Sequence, residues 1–164
     1  MMKRFWSLIF LLLCLHVSCA NAVQVLQALV VGVSDGDSIT VLDADKQQHK
    51  IRLQGIDAPE KAQAYGQKSK ESLSALVYKK NVQVIWAKQD RYGRTVGQVM
   101  VGGLDACLEQ VKRGMAWHYK DYQGEQSSED RVLYDRAETL AREKGLGIWQ
   151  DTSPIEPWAF RRQR

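Results

Sequence analysis

Residues 24–54 constrain this chain more than any other stretch. Three runs in succession, VLQALVVGV, DSITVLDAD and HKIRL, are β-rich and apolar or alternating, and residues that favour turns separate them. A period of two places Ile39 and Val41 on one side of an extended chain, and Ile51 and Leu53 on one side of the next. The polar DADKQQ between the last two runs reads as a hairpin turn. The N-terminal part of the fold is therefore sheet, joined by short connections.

The strand pattern returns at VQVIWA (82–87) and at TVGQVMVGG (95–103), where Gly102-Gly103 makes the turn. Three other segments have helical spacing. In QKSKESLSALVYKK (67–80), Leu73, Leu76 and Val77 form a buried stripe. In DACLEQVKRG (105–114), Leu108 and Val111 face inward and Gly114 stops the helix. A long helix starts at Ser127-Ser128, with Leu133, Ala137, Leu140 and Ala141 as its expected stripe, and ends at Gly145. About five short strands, with one helix between them and two following, predict an α+β domain; a small antiparallel β-barrel fits the order. The tail DTSPIEPWAFRRQR (151–164) is expected to lie over the surface or fray.

Residues 1–22 have the order of an export signal. Lys3 and Arg4 precede an apolar run, and Ala20-Asn21-Ala22 is a small-x-small cleavage pattern. The run falls short of the roughly 20 residues a membrane span needs. The expected organisation is a signal peptide over 1–22, a domain over 23–150 and a tail over 151–164. The expected location is periplasmic or secreted, with no membrane attachment after cleavage. The chain's net charge is +4, and Lys3 and Arg4 leave with the signal, so the remainder carries +2. That permits a nucleic-acid partner without arguing for one. Cys14 and Cys19 also leave, and Cys107 alone excludes an internal disulfide in the exported domain. Within its apolar helical pattern it reads as an inert core residue.

Three charged clusters fall at strand ends or turns, where side chains project from a rigid sheet. They are SDGDS, with Asp35 and Asp37; RLQGIDAPE, with Arg52, Asp57 and Glu60; and DRYGR, with Asp90, Arg91, Tyr92 and Arg94. Taken singly, the first is a common turn, the second a helix entry and the third a hairpin tip. Arg52 is harder to set aside, because an unpaired charge inside an apolar strand is expensive to bury. Together the clusters hold oxygen ligands for a hard cation, arginines for a phosphate and a spare carboxylate for an attacking water. Those are the parts of a metal-assisted phosphodiester hydrolase. An EF-hand does not fit, since DGDSITVLDADK lacks the glycine at its sixth position and the acid at its twelfth. His49 and His118 are isolated residues, expected to be structural or solvent-facing.

DGDS, RLQGIDAPE, DRYGR and the late EKGLGIW occur in the order and spacing of the staphylococcal nuclease (thermonuclease) family, and the chain resembles that family over about residues 25–150. The resemblance implies a five-stranded OB-fold β-barrel with three packed helices. It implies hydrolysis of DNA and RNA with Ca2+, leaving 3′-phosphates. By the same resemblance Asp37, Asp57 and the carbonyl of Ser38 hold the metal, and Asp35 supports them. Glu60 acts as general base or orients the water, and Arg52 and Arg94 grip the phosphate. Arg91 and Tyr92 match nucleotide contacts; Tyr119 and Tyr122 match base-packing tyrosines at a different spacing. No stable protein partner is implied, and a monomer is expected. The alternative is a non-catalytic nucleic-acid or protein-binding module of the same fold. A glycosidase would explain the carboxylates but not the paired arginines.

Overall fold

A computed structural model describes residues 23–163. The expected signal peptide, residues 1–22, lies outside the described residues, as does Arg164. Strand β1 (Gln24–Val33) is long enough to serve two neighbours. It pairs antiparallel with β2 (Ser38–Leu42) through its second half and with β5 (Asn81–Gln89) through its first. A register shift between Val30 and Gly32 marks an irregularity in the first of these pairings, of the kind that lets a strand bend.

β2 pairs with β3 (Gln48–Leu53) across the expected polar turn, and β5 pairs with β6 (Thr95–Val101). Closure comes from β3 running parallel to β6, with Ile51, Arg52 and Leu53 opposite Thr95, Val96 and Gly97. The five long strands therefore form a closed barrel. Its inward residues include Val30, Val41, Ile51, Leu53, Val84 and Val99, all buried. Burying each such side chain stabilises the fold by about 1.5–3 kcal/mol.

Two short strands, β4 (Ile56–Asp57) and β8 (Trp117–His118), pair apart from the barrel, and β7 (Leu104–Asp105) folds back antiparallel on the end of β6. Helix α1 (Gly66–Val77) lies between β4 and β5 and buries the expected Leu73, Leu76 and Val77. Helix α2 (Ala106–Lys112) is capped by Asp105, whose carboxylate accepts from the Cys107 and Leu108 amides. Cys107 is buried beneath it, and burial pushes its thiol well above the ordinary value. Among the described residues no helix is long and apolar enough to cross a membrane.

Helix α3 (Ser128–Glu143) begins, as expected, with Ser127 capping the Asp130 amide. Its buried face keeps the expected Ala137 and Ala141 but not the two expected leucines. Tyr134, Ala137, Glu138 and Ala141 are inside, while Leu133 and Leu140 are 50% and 41% exposed. Tyr134 carries more area than a leucine, and its hydroxyl donates to Asp105 at 2.6 Å. Glu138 accepts the His118 amide at 3.0 Å. Two polar anchors thus rotate the helix away from the face that hydrophobicity alone would choose.

Of the two expected outcomes for the tail, it lies over the surface rather than fraying, and it does so as a helix. Pro157–Arg162 form a fourth helix, α4, started by a buried Pro157. Trp158 stacks on Tyr119 at 5.1 Å and 7° and meets Trp117 edge-on at 6.5 Å.

Candidate functional site

The site forms where three turns meet at one end of β2 and β3. The first turn joins β1 to β2. Asp35 accepts the Asp37 amide at 3.0 Å, and the Ser34 amide donates to the Ser38 carbonyl at 2.9 Å. Gly36 is required for close approach, since a Cβ there would lie 1.8 Å from the Ser69 hydroxyl and 2.7 Å from Ala58. Asp37 is thereby pressed toward the second turn, where its Oδ2 accepts the Ala58 amide at 2.7 Å.

Sheet register brings in Arg52, which lies opposite Ser38 on β3. Beyond it the chain reverses at Gly55, whose φ of +74° favours a residue without a side chain. The Tyr119 amide ties down the Gly55 carbonyl at 2.9 Å. Asp57 then enters the β4–β8 pair opposite Trp117 and is 1% exposed. Glu60 opens a tight turn in which its carbonyl accepts the Gln63 amide at 2.8 Å and its amide donates to the Gln63 side chain at 3.1 Å.

Arg52 does meet partners. Its Nη2 is 3.0 Å from Asp57 Oδ1 and 3.3 Å from Asp37 Oδ2, and its Nη1 donates to the Leu53 carbonyl at 2.8 Å. Two of its five donors are committed by these hydrogen bonds, which leaves the rest for an anionic ligand. Burial works against the Arg52 charge, but Asp37, Asp57 and Asp35 outweigh it and hold the guanidinium protonated.

The acids are incompletely neutralised. Burial and then the Asp37 charge push the Asp35 carboxyl up to about 6. Burial also raises Asp57, against the hydrogen bond and charge of Arg161. Four carboxylates (Asp35, Asp37, Asp57, Glu60) face two guanidiniums (Arg52, Arg161), an excess of two negative charges. Among the described residues no three or more His, Cys, Asp or Glu converge as a ready-made metal cluster.

The DRYGR turn links β5 to β6. Asp90 organises it, accepting the amides of Tyr92 and Arg94 at 2.9 Å and the Arg94 Nε at 2.7 Å. Arg94 stands one residue before Thr95, which pairs with Ile51 beside Arg52. The structure thus puts Arg94 in the turn that leads into the strand beside β3, with its guanidinium held by Asp90 rather than by the acids of the site. Arg91 donates to the Tyr92 hydroxyl at 2.7 Å, and Tyr92 is 69% exposed. Tyr119 and Tyr122 lie 4.9 Å apart, in the segment after β8.

Arg161 is not legible in the sequence as a site residue, yet it bonds both Asp57 and Glu60 from α4. Gln110 has no local signal either. Fully buried, it donates to the carbonyls of Gly36 at 2.9 Å and Ser69 at 3.0 Å, fastening the Asp35–Asp37 turn to α1. His118, expected to be structural or solvent-facing, is buried and bonds Gln126 at 2.8 Å.

Comparison with known proteins finds relatives of this chain. Residues 50–151 match the family model described as "Staphylococcal nuclease homologue". An "Uncharacterized endonuclease" of Haemophilus influenzae is 49% identical over 82% of this chain and 72% of its own length. An "Uncharacterized endonuclease" of Escherichia coli O157:H7 is 37% identical over 99% of this chain and 100% of its own length. A "Micrococcal nuclease" of Shigella flexneri is 37% identical over 81% and 79% respectively.

Proposed function

Since the chain belongs to the staphylococcal nuclease family, we propose that it hydrolyses phosphodiester bonds of DNA and RNA with Ca2+, leaving 3′-phosphates. The observation that carries this reading is the juxtaposition at Arg52. A fixed cation lies 3.0 Å and 3.3 Å from two buried carboxylates, with Glu60 joined to the same cluster through Arg161. The nuclease names of the relatives support the same reading.

The donor set fits a hard divalent cation. Asp37 and Asp57 offer anionic oxygens, and the Ser38 carbonyl keeps a second lone pair beside its bond from Ser34. The excess of two negative charges is the amount such an ion neutralises. When bound, Ca2+ supplies positive charge against the negative charge that builds on the phosphate in the transition state.

The chain's own residues would do the rest. Arg52 donates its uncommitted N–H groups to a phosphate oxygen. Arg94 adds a second guanidinium from the turn ahead of β6, for which its bond to Asp90 must be shared or exchanged. Glu60 orients the attacking water or takes its proton. Arg91 and Tyr92 at the hairpin tip, with Tyr119 and Tyr122, contact the nucleotides by charge and stacking. The protein is proposed to act outside the cytoplasm as a monomer, after cleavage behind Ala22. A binding module of the same fold would need the basic and aromatic residues but not Glu60 or a buried aspartate pair.

The test is to incubate the purified protein with plasmid DNA and, separately, with RNA, in Ca2+ and in excess chelator, and to identify the end groups. Cleavage in Ca2+ alone, with 3′-phosphate ends, is the expected result. Binding without cleavage in either condition would refute the reading.

A further inference from the structure

Arg161 lies about a hundred positions along the chain from the acids it holds. Its Nη2 donates to Asp57 Oδ2 at 2.7 Å; its Nη1 donates to Glu60 Oε1 at 2.7 Å and reaches Asp57 Oδ1 at 3.3 Å. This forked contact is built rather than incidental. Trp158 of α4 packs on Trp117, the residue opposite Asp57 in the β4–β8 pair, and on Tyr119, whose amide ties down Gly55. The Gln63 side chain, from the turn after Glu60, donates to the carbonyl of Ile155 ahead of α4. The helix is therefore fastened to the same two turns that present the acids.

We propose that Arg161 is a positioning residue of the hydrolytic site: its guanidinium spans Asp57 and Glu60, fixes the Glu60 carboxylate, and covers the Asp57 oxygens until a divalent cation takes them. The inference rests on the function proposed above. Among the described residues, Arg161 is the only side chain that bonds the Glu60 carboxylate. Glu60 is otherwise a long, partly exposed side chain that would lose rotamer freedom each time it acted. An arginine supplies that order through its planar fork, as a lysine cannot.

The two arginines on Asp57 are not equivalent. The Arg52 side chain is 15% exposed and tied to the Leu53 carbonyl, whereas that of Arg161 is 44% exposed. A cation arriving at Asp57 competes with both, and Arg161 is the one able to yield into solvent. The contact exchanged is Arg161 with Asp57, while Arg161 with Glu60 is kept. Arg161 therefore weakens metal binding while improving the geometry of the bound state.

The test uses the full exported protein and the variants Arg161→Gln, Arg161→Lys and Arg162→Gln. Ca2+ affinity is measured by calorimetry without substrate, and kcat and KM on a short DNA at saturating Ca2+. Arg161→Gln should bind Ca2+ about tenfold more tightly, the change expected if the pair occupies Asp57 about nine-tenths of the time. Its kcat should fall at least about tenfold with little change in KM, because Glu60 loses its fixed orientation. Arg161→Lys should fall between, and Arg162→Gln should match wild type in both measurements. A merely structural role would not tighten metal binding. Wild-type Ca2+ affinity or wild-type kcat in Arg161→Gln would overturn the inference alone. A wild-type protein that neither binds Ca2+ nor cuts would overturn the proposed function, and this inference with it.

Discussion

Asp35 shows how much of the site turns on single side chains. Its carboxyl is raised to about 6 from an ordinary 3.8, first by burial and then by the Asp37 charge. The folded protein therefore holds the Asp35 proton more tightly than the unfolded chain does. The stability this gives is present below pH 3.8 and is lost as pH rises to about 6. Asp35→Asn keeps an acceptor for the Asp37 amide and removes the titration. The melting temperature of the variant, relative to wild type and without metal, should rise between about pH 4 and pH 7. A pH-independent difference would show that Asp35 is not strained by its neighbours. At this scale the sequence is highly readable. Arg52 stands out because an apolar strand has no use for a charge, and Asp37 and Asp57 do meet it. Arg161 cannot be read the same way, because its partners are fixed by three-dimensional proximity and not by spacing.

At the scale of elements, the site depends on turns held by buried polar contacts. Gln110 is the clearest case. Its amide donates to the Gly36 and Ser69 carbonyls, and its oxygen accepts the Ser72 hydroxyl at 2.7 Å. Gln110→Leu keeps the bulk but removes all three bonds and strands the buried Gly36 carbonyl. It should cost about 3 kcal/mol, within the range for stranded buried polar groups. Urea unfolding measures it, and a loss below about 1 kcal/mol would show that the turn is held by packing alone. Buried polar contacts also explain where elements depart from the pattern of the sequence. Hydrophobic spacing assigns Leu133 and Leu140 to the core of α3, but Tyr134 and Glu138 take those places through bonds to Asp105 and His118. Polar anchors of this kind leave no periodic signal. The tail does carry one: Pro157, Trp158 and Phe160 are poor residues for a frayed end, and Trp158 finds an aromatic platform.

For the whole molecule, the barrel is a frame that sets one cation and two buried acids against each other, and it leaves the DRYGR hairpin projecting beside them. Its strands are legible from alternation, whereas closure requires the parallel β3–β6 pairing that no local pattern encodes. The molecule's charge is modest, so attraction for a polyanion must come from local groups such as Arg91. Arg91→Ala should raise KM, reduce the salt dependence of binding by about one phosphate contact, and leave kcat nearly unchanged. A large fall in kcat would move Arg91 into the reacting centre. Arg52 should behave in the opposite way, and it separates a hydrolase from a binding module most directly. The decisive measurement is the steady-state kcat of Arg52→Ala on a short DNA substrate, at saturating Ca2+ and fixed salt, per folded molecule. Removing one preorganised donor to the transition-state charge should lower kcat by about 10²-fold or more. If kcat is retained and only KM rises, Arg52 merely attracts substrate and its assignment to the reacting centre is wrong.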